Sequence, residues 1–244
     1  MDPRWLQLGS QFVLLLFGAL IRDFSVELSQ IALTFATALG VQFICSRMVS
    51  LPAVNMLSPM NTAFSLALLL RSDSLWIHPL AAGLSIASKF VIRWKKKHII
   101  NPSVFGIVMV LFFTDHAWVS SGQWGHNITM IFWFALLGMT VVRKVGRMDM
   151  TLGFLGSLFL FKLIRILYLG DRFEVLMHQF DNGALIVFAF FMITDPKTTP
   201  NASLARILFA TATAGVTFYL QHWHFISSAP IYALFAVAPL VPLF

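Results

Sequence analysis

The chain has 244 residues, of which 58% are hydrophobic and 11% charged, with 25 phenylalanines and a mean hydropathy of +0.81. Soluble domains carry about 25% charged residues, so a water-soluble fold is excluded and a polytopic membrane protein is expected. The formal charge of +7 and the pI near 10.0 do not point to nucleic acid, because the basic residues sit between apolar runs, as in membrane loops.

The N-terminal MDPRWLQLGS has neither a basic leader nor a small-residue cleavage site, so the first apolar run is expected to stay as a helix. A helical span needs about 20 mostly apolar residues. Ten candidates follow along the chain, at residues 5–21, 25–45, 50–70, 75–93, 99–114, 127–142, 148–169, 175–194, 203–221 and 227–244. The fold class expected is therefore all-α and polytopic, with short loops.

The basic residues set an expected orientation. With the N-terminus inside, the inner segments hold Arg4, Arg47, Arg93, Lys95, Lys96, Lys97, Arg143, Lys144, Arg147, Lys197 and Arg206, against Arg22, Arg71 and Arg172 outside. Both termini are then cytoplasmic. Trp118 and Trp124 fall in an outer loop without Lys or Arg, as an interfacial belt would. Lys95, Lys96 and Lys97 form a basic loop suited to anionic lipid.

The spans fall into two halves of five, residues 1–122 and 125–244, as one membrane domain. The third and eighth spans each join a polar first part to an apolar second part too short to cross a bilayer, with Asn61 in one and Asp181-Asn182 in the other at the changeover. The fifth and tenth open on Asn101-Pro102 and Ala229-Pro230, where proline suits a first helical turn and Asn101 a cap. Five spans per half make the halves inverted, the architecture of many transporters, with the binding site near the repeat interface.

Charges inside a bilayer are functional candidates by default. Lys162 and Arg165 lie three apart on one helical face; they either snorkel or pair with Asp171 or Glu174, or attract an anionic cofactor or lipid. Lys89 either snorkels toward the inner basic loop or serves the same attraction. Asp181 either binds a ligand at the start of a half-helix or caps that helix. His178 either relays protons or packs as a hydrogen-bonded residue. In FFMITDPKTTP (residues 190–200), Asp195 is expected to cap a rigid inner turn or to accept from the hydroxyls of Thr198 and Thr199. The single cysteine, Cys45, permits no internal disulfide, and no spacing suits a metal. Signatures of soluble hydrolases, nucleotide loops and metalloproteases are absent from the sequence, so no catalytic residue is assigned.

KHIINPSVFGIV (97–108), AWVSSGQWG (117–125), FFMITDPKTTP (190–200) and DPRWLQL (2–8) resemble the RnfD/NqrB family, the integral-membrane family of Rnf complexes and of the sodium-pumping NADH–quinone reductase. The similarity is greatest to its short members, including those named after enediyne biosynthesis clusters. The resemblance implies a ten-helix inverted repeat like that of urea and ammonium channels, in a bacterial inner membrane. It implies flavin-linked electron transport coupled to ion movement, with other proteins of a membrane complex as partners. Long members attach flavin phosphate to a threonine in an SGAT-type motif, which this sequence lacks; covalent FMN is not expected, and non-covalent flavin or quinone is. Asn101, Pro102 and Ser103, and Thr194, Asp195 and Pro196, match the family elements and join Asn61, Asp181 and Asn182 as cofactor-site candidates. Two other functions fit the same residues: a transporter or channel for a small vitamin-like solute, and a cofactor-free scaffold within a larger assembly.

Overall fold

A computed structural model of the chain describes residues 3–21, 26–51, 54–94, 97–120 and 128–243. The chain divides into two compact units, Met1–Ser120 and Ser121–Phe244.

The first unit contains α1 (Pro3–Ile21), α2 (Leu28–Met48), α3 (Leu57–Leu69), β1 (Leu70–Ser72), α4 (Ile77–Val91), β2 (Arg93–Trp94), β3 (Lys97–His98), α5 (Pro102–Phe113) and β4 (Ala117–Val119). Helix α3 is its centre. Every residue from 62 to 69 is buried, as expected of a helix apolar on all sides, and α1 and α2 pack against it. Its last carbonyls are closed by Arg71, whose guanidinium donates to the oxygens of Ala67 at 2.9 Å, Leu68 at 3.2 Å and Leu70 at 2.7 Å. Helix α2 lies along α4, and α4 along α5. Thr34 meets His78 at 3.2 Å and Gln42 meets Lys89 at 3.0 Å; numbers rise together, so α2 and α4 run parallel.

The second unit contains α6 (Ile128–Val145), α7 (Met148–Leu169), α8 (Phe173–Phe180), α9 (Gly183–Val187), a π-helical turn at Phe188–Met192, α10 (Ser203–Trp223), α11 (Ala229–Val237) and a closing 3₁₀ turn at Ala238–Leu243. Helix α7 ends on Gly170, whose φ of 72° is the left-handed cap that glycine tolerates. Helix α10 lies along α7 and α11, and α6 packs on α9 and the π turn. Ser157 meets Thr211 at 2.9 Å, and the rings of Phe161 and Phe218 lie 6.0 Å apart. Here too the numbers rise together, so α7 and α10 are parallel.

The all-α expectation holds, with eleven α-helices among the described residues. Two features differ from it. Among the described residues only α2, α7 and α10 are long and apolar enough to cross a bilayer, and α8 with α9 and its π turn forms a fourth, broken candidate bent by 60°. The expected spans at 50–70, 75–93, 99–114 and 227–244 shrink to shorter apolar helices; at 1.5 Å per residue, the 13 residues of α3 reach about 20 Å against a hydrocarbon core of about 30 Å. The remainder forms two strand pairs that hydropathy gave no sign of. β1 pairs antiparallel with β4, Leu70 opposite Val119 and Ser72 opposite Ala117, and β2 pairs with β3. Trp118 is therefore a strand residue, while Trp124, Lys95 and Lys96 lie outside the described residues.

Candidate functional site

The family-like element at 101–106 has a local physical basis. Asn101 Oδ1 accepts from the backbone N–H of Ser103 at 3.1 Å and of Val104 at 3.4 Å, and from the Ser103 hydroxyl at 2.9 Å. Pro102 occupies the first turn of α5, where no N–H is needed. Gly106 then seats α5 on α4: a Cβ there would overlap Ser85 Oγ and the Ala81 carbonyl oxygen. Asn101, Pro102 and Ser103 thus form one buried helix start.

Asn61 does not mark a helix start. Helix α3 begins at Leu57, whose N–H is bonded by Asn55 Oδ1 at 3.1 Å, and Pro59 fits its first turn. Asn61 lies a turn later with Oδ1 buried and without a hydrogen-bond partner among the described residues.

The interruption in the second unit is real. Asp181 and Asn182 separate α8 from α9, and the chain bends by 60°. Asn182 Oδ1 accepts from the N–H of Ala184 at 2.9 Å and of Leu185 at 3.2 Å. The cap is therefore Asn182, not Asp181, whose own N–H closes α8 on the carbonyls of Met177 and His178. Thr194 and Asp195 stand at the other end of the α9–π segment, so these two pairs of candidates do not meet.

The TDPKTTP element is a self-bonded turn. Asp195 Oδ1 accepts from the Lys197 N–H at 2.9 Å. The hydroxyls of Thr199 at 2.9 Å and Thr198 at 3.4 Å donate to the backbone carbonyl of Asp195, not to its carboxylate. Thr194 donates to the Phe190 carbonyl at 2.7 Å. Beyond the turn, Arg206 binds Asp149 through Nε at 2.7 Å and Nη2 at 2.5 Å, Ser203 donates to the same carboxylate oxygen at 2.8 Å, and Nη1 of Arg206 donates to the Asn201 carbonyl. Burial and the neighbouring Arg206 lower the Arg147 guanidinium from its ordinary value, with Asp149 and Asp195 acting the other way.

The charge candidates are placed differently from a snorkelling lysine. Lys89, 5% exposed, donates to Gln42 Oε1 on α2 at 3.0 Å. Lys162, also 5% exposed, donates to Gln179 Oε1 on α8 at 2.8 Å. Neither reaches outward, because each sits on the face its helix turns to a neighbour. Glu174 pairs with Arg172 at 3.3 Å instead of with Lys162 or Arg165. Arg165 is half-buried, and His178 is exposed on α8.

A polar stripe on α2 is invisible to averaged hydropathy. Gln30, Thr34, Gln42 and Ser46 are buried, with Ala38 completing a strict four-residue spacing. The Thr34 hydroxyl donates to the Gln30 carbonyl at 2.7 Å and so accepts from Nδ1–H of His78. That leaves His78 Nε2, like Gln11 Oε1 and Gln30 Oε1, as a buried acceptor without a donor among the described residues.

No curated protein matches the chain. The model of the NQR2, RnfD, RnfE family matches residues 107–244, which takes in the end of α5, β4 and the whole second unit. That is more than half of the sequence, and with its apolar helices it makes this chain an integral-membrane member of the NQR2, RnfD, RnfE family, whose members are subunits of multi-subunit membrane complexes.

Proposed function

We propose that the chain is the membrane subunit of an electron-transport complex, built as a five-plus-five inverted repeat, which holds non-covalent flavin or quinone and is linked to ion translocation. Family membership carries this reading. The repeat is supported by pairing: the second and fourth members of each unit are parallel neighbours, and the fourth also packs on the fifth.

The chemistry of the unsatisfied groups bears on the ligand. Gln11 Oε1, Gln30 Oε1, Asn61 Oδ1 and His78 Nε2 are all acceptors. A flavin supplies a ring N–H, and its ribityl chain supplies hydroxyl donors; both suit Gln30 and His78. A quinone offers carbonyl acceptors when oxidised, which suit the buried Ser85 hydroxyl, and two hydroxyl donors as the quinol, which suit this set. Amide oxygens at a helix start or seam also suit a small hard cation, which supports the ion-linked part of the reading.

The test is the visible spectrum and acid-extracted flavin of the protein purified with its native partners. Bound flavin at near-stoichiometric amounts is expected, released by acid because no covalent link is formed. A colourless, flavin-free and quinone-free complex defeats the redox reading. The broken α8–α9 segment favours a second reading, a small-solute transporter, and solute uptake by the isolated chain in proteoliposomes would select it. A flavin-free protein without flux, needed only for assembly of its partners, would make it a scaffold.

A further inference from the structure

Three basic side chains converge at one end of the α7–α10 pair. Lys162 and Arg165 are one turn apart on α7. The register of the pair, Asp149 with Arg206, Ser157 with Thr211 and Phe161 with Phe218, brings residue 165 level with His222 on α10. The charges of Lys162 and Arg165 both act on His222, and that of Arg165 on Lys162. His222 is anchored by Nδ1 to the Phe218 carbonyl at 2.9 Å, and its ring lies 4.4 Å from that of Phe218. Nε2 is thus turned away from its own helix backbone.

Their partners are few. Among the described residues Lys162 donates to the neutral Gln179 and meets no carboxylate, and Arg165 makes no hydrogen bond or ion pair. Burying an ammonium without a counter-charge is costly, and two further basic groups beside it raise that cost.

The level in the membrane is marked independently. Tyr168 on α7 and Tyr219 and Trp223 on α10 are exposed by 87%, 50% and 60% at this same end, the position of an interfacial aromatic belt. By helix rise, Arg165 lies about 6 Å and Lys162 about 10 Å short of the end of α7. That depth is at and just beneath lipid headgroups.

We propose that Lys162, Arg165 and His222, with Gln179 beside them, form a phosphate-binding site at the interfacial end of α7 and α10. The aromatic belt favours the headgroup of an anionic lipid as the source of the phosphate; a phosphate-bearing soluble ligand offers the same chemistry. Arg165 supplies the planar fork suited to phosphate oxygens, and Lys162 the deeper point charge.

The test uses the full chain in detergent. Native mass spectrometry counts retained phosphatidylglycerol against phosphatidylcholine, and thermal shift is followed with riboflavin 5′-phosphate against riboflavin. Preferential retention of phosphatidylglycerol identifies a lipid site; stabilisation by riboflavin 5′-phosphate but not riboflavin identifies a soluble phosphate ligand. In either case Arg165→Gln should weaken binding about tenfold and Arg165→Lys much less. Lys162→Met should abolish the preference. If it does not fold, Arg165→Gln, at a half-exposed position, decides alone. The site is refuted if wild type prefers neither phosphate source, or if Arg165→Gln binds as wild type does.

Discussion

The two units use one plan with different cement. In each, the second and fourth members run parallel around an interrupted or shortened third. The first unit fills that seam with neutral groups from α2, Thr34 on His78 and Gln42 on Lys89. The second opens its seam with an ion pair, Asp149 on Arg206, continues with hydroxyls and rings, and finishes with basic groups that meet no carboxylate among the described residues. The difference teaches that helix pairing in a lipid solvent does not depend on one kind of contact. It depends on close backbone approach, with polar side chains free to differ from seam to seam.

The sharpest break should come from backbone approach. Gly106→Ala pushes a methyl into the Ala81 carbonyl, which cannot move without unwinding α4; a loss of about 3 kcal/mol is expected, read as a lower thermal midpoint in detergent. Asp149→Asn should cost the second unit about 2 kcal/mol, below the loss typical of a fully buried pair, because both side chains keep some exposure. A double-mutant cycle with Arg206→Gln should show coupling between them; additive losses would mean that the pair contributes nothing. The two caps make a matched comparison. Asn101→Ala should cost about 1.5 kcal/mol and Asn182→Ala about 1 kcal/mol, since Asn101 also holds the Ser103 hydroxyl and is the more buried. Equal losses would remove that distinction. The smallest effect is expected from Gly153→Ala, whose new methyl would lie 3.3 Å from the Ala210 Cβ and cost under about 1 kcal/mol.

Much of this is legible in the chain. Asn101-Pro102 announces its helix start because cap and first-turn chemistry are local. The break at Asp181-Asn182 is legible too, but which residue caps is not: Asp and Asn serve equally well, and the choice follows from where α8 ends. Asn61 lies inside its helix although its polarity suggests a boundary, and Pro59 already points to a start two residues before itself. The burial of Lys89 and Lys162 cannot be read from sequence, because it requires the parallel registers of α2 with α4 and the fold-back of α8 onto α7. Strands of two and three residues carry no alternation to detect. The α2 stripe, by contrast, stands in the sequence at every fourth residue and is masked only by averaging its hydropathy.

The π turn at Phe188–Met192 holds a direction despite an added residue. Such a turn accommodates one more residue than the α-helix would, and each α-helical residue advances the chain by about 100°. Deleting one residue there would relax it to regular helix and leave Thr194 and the TDPKTTP corner at nearly the same angle around the α9 axis, because the wider turn already absorbs the surplus. The turn stores a single surplus residue without passing its rotation on to the corner downstream.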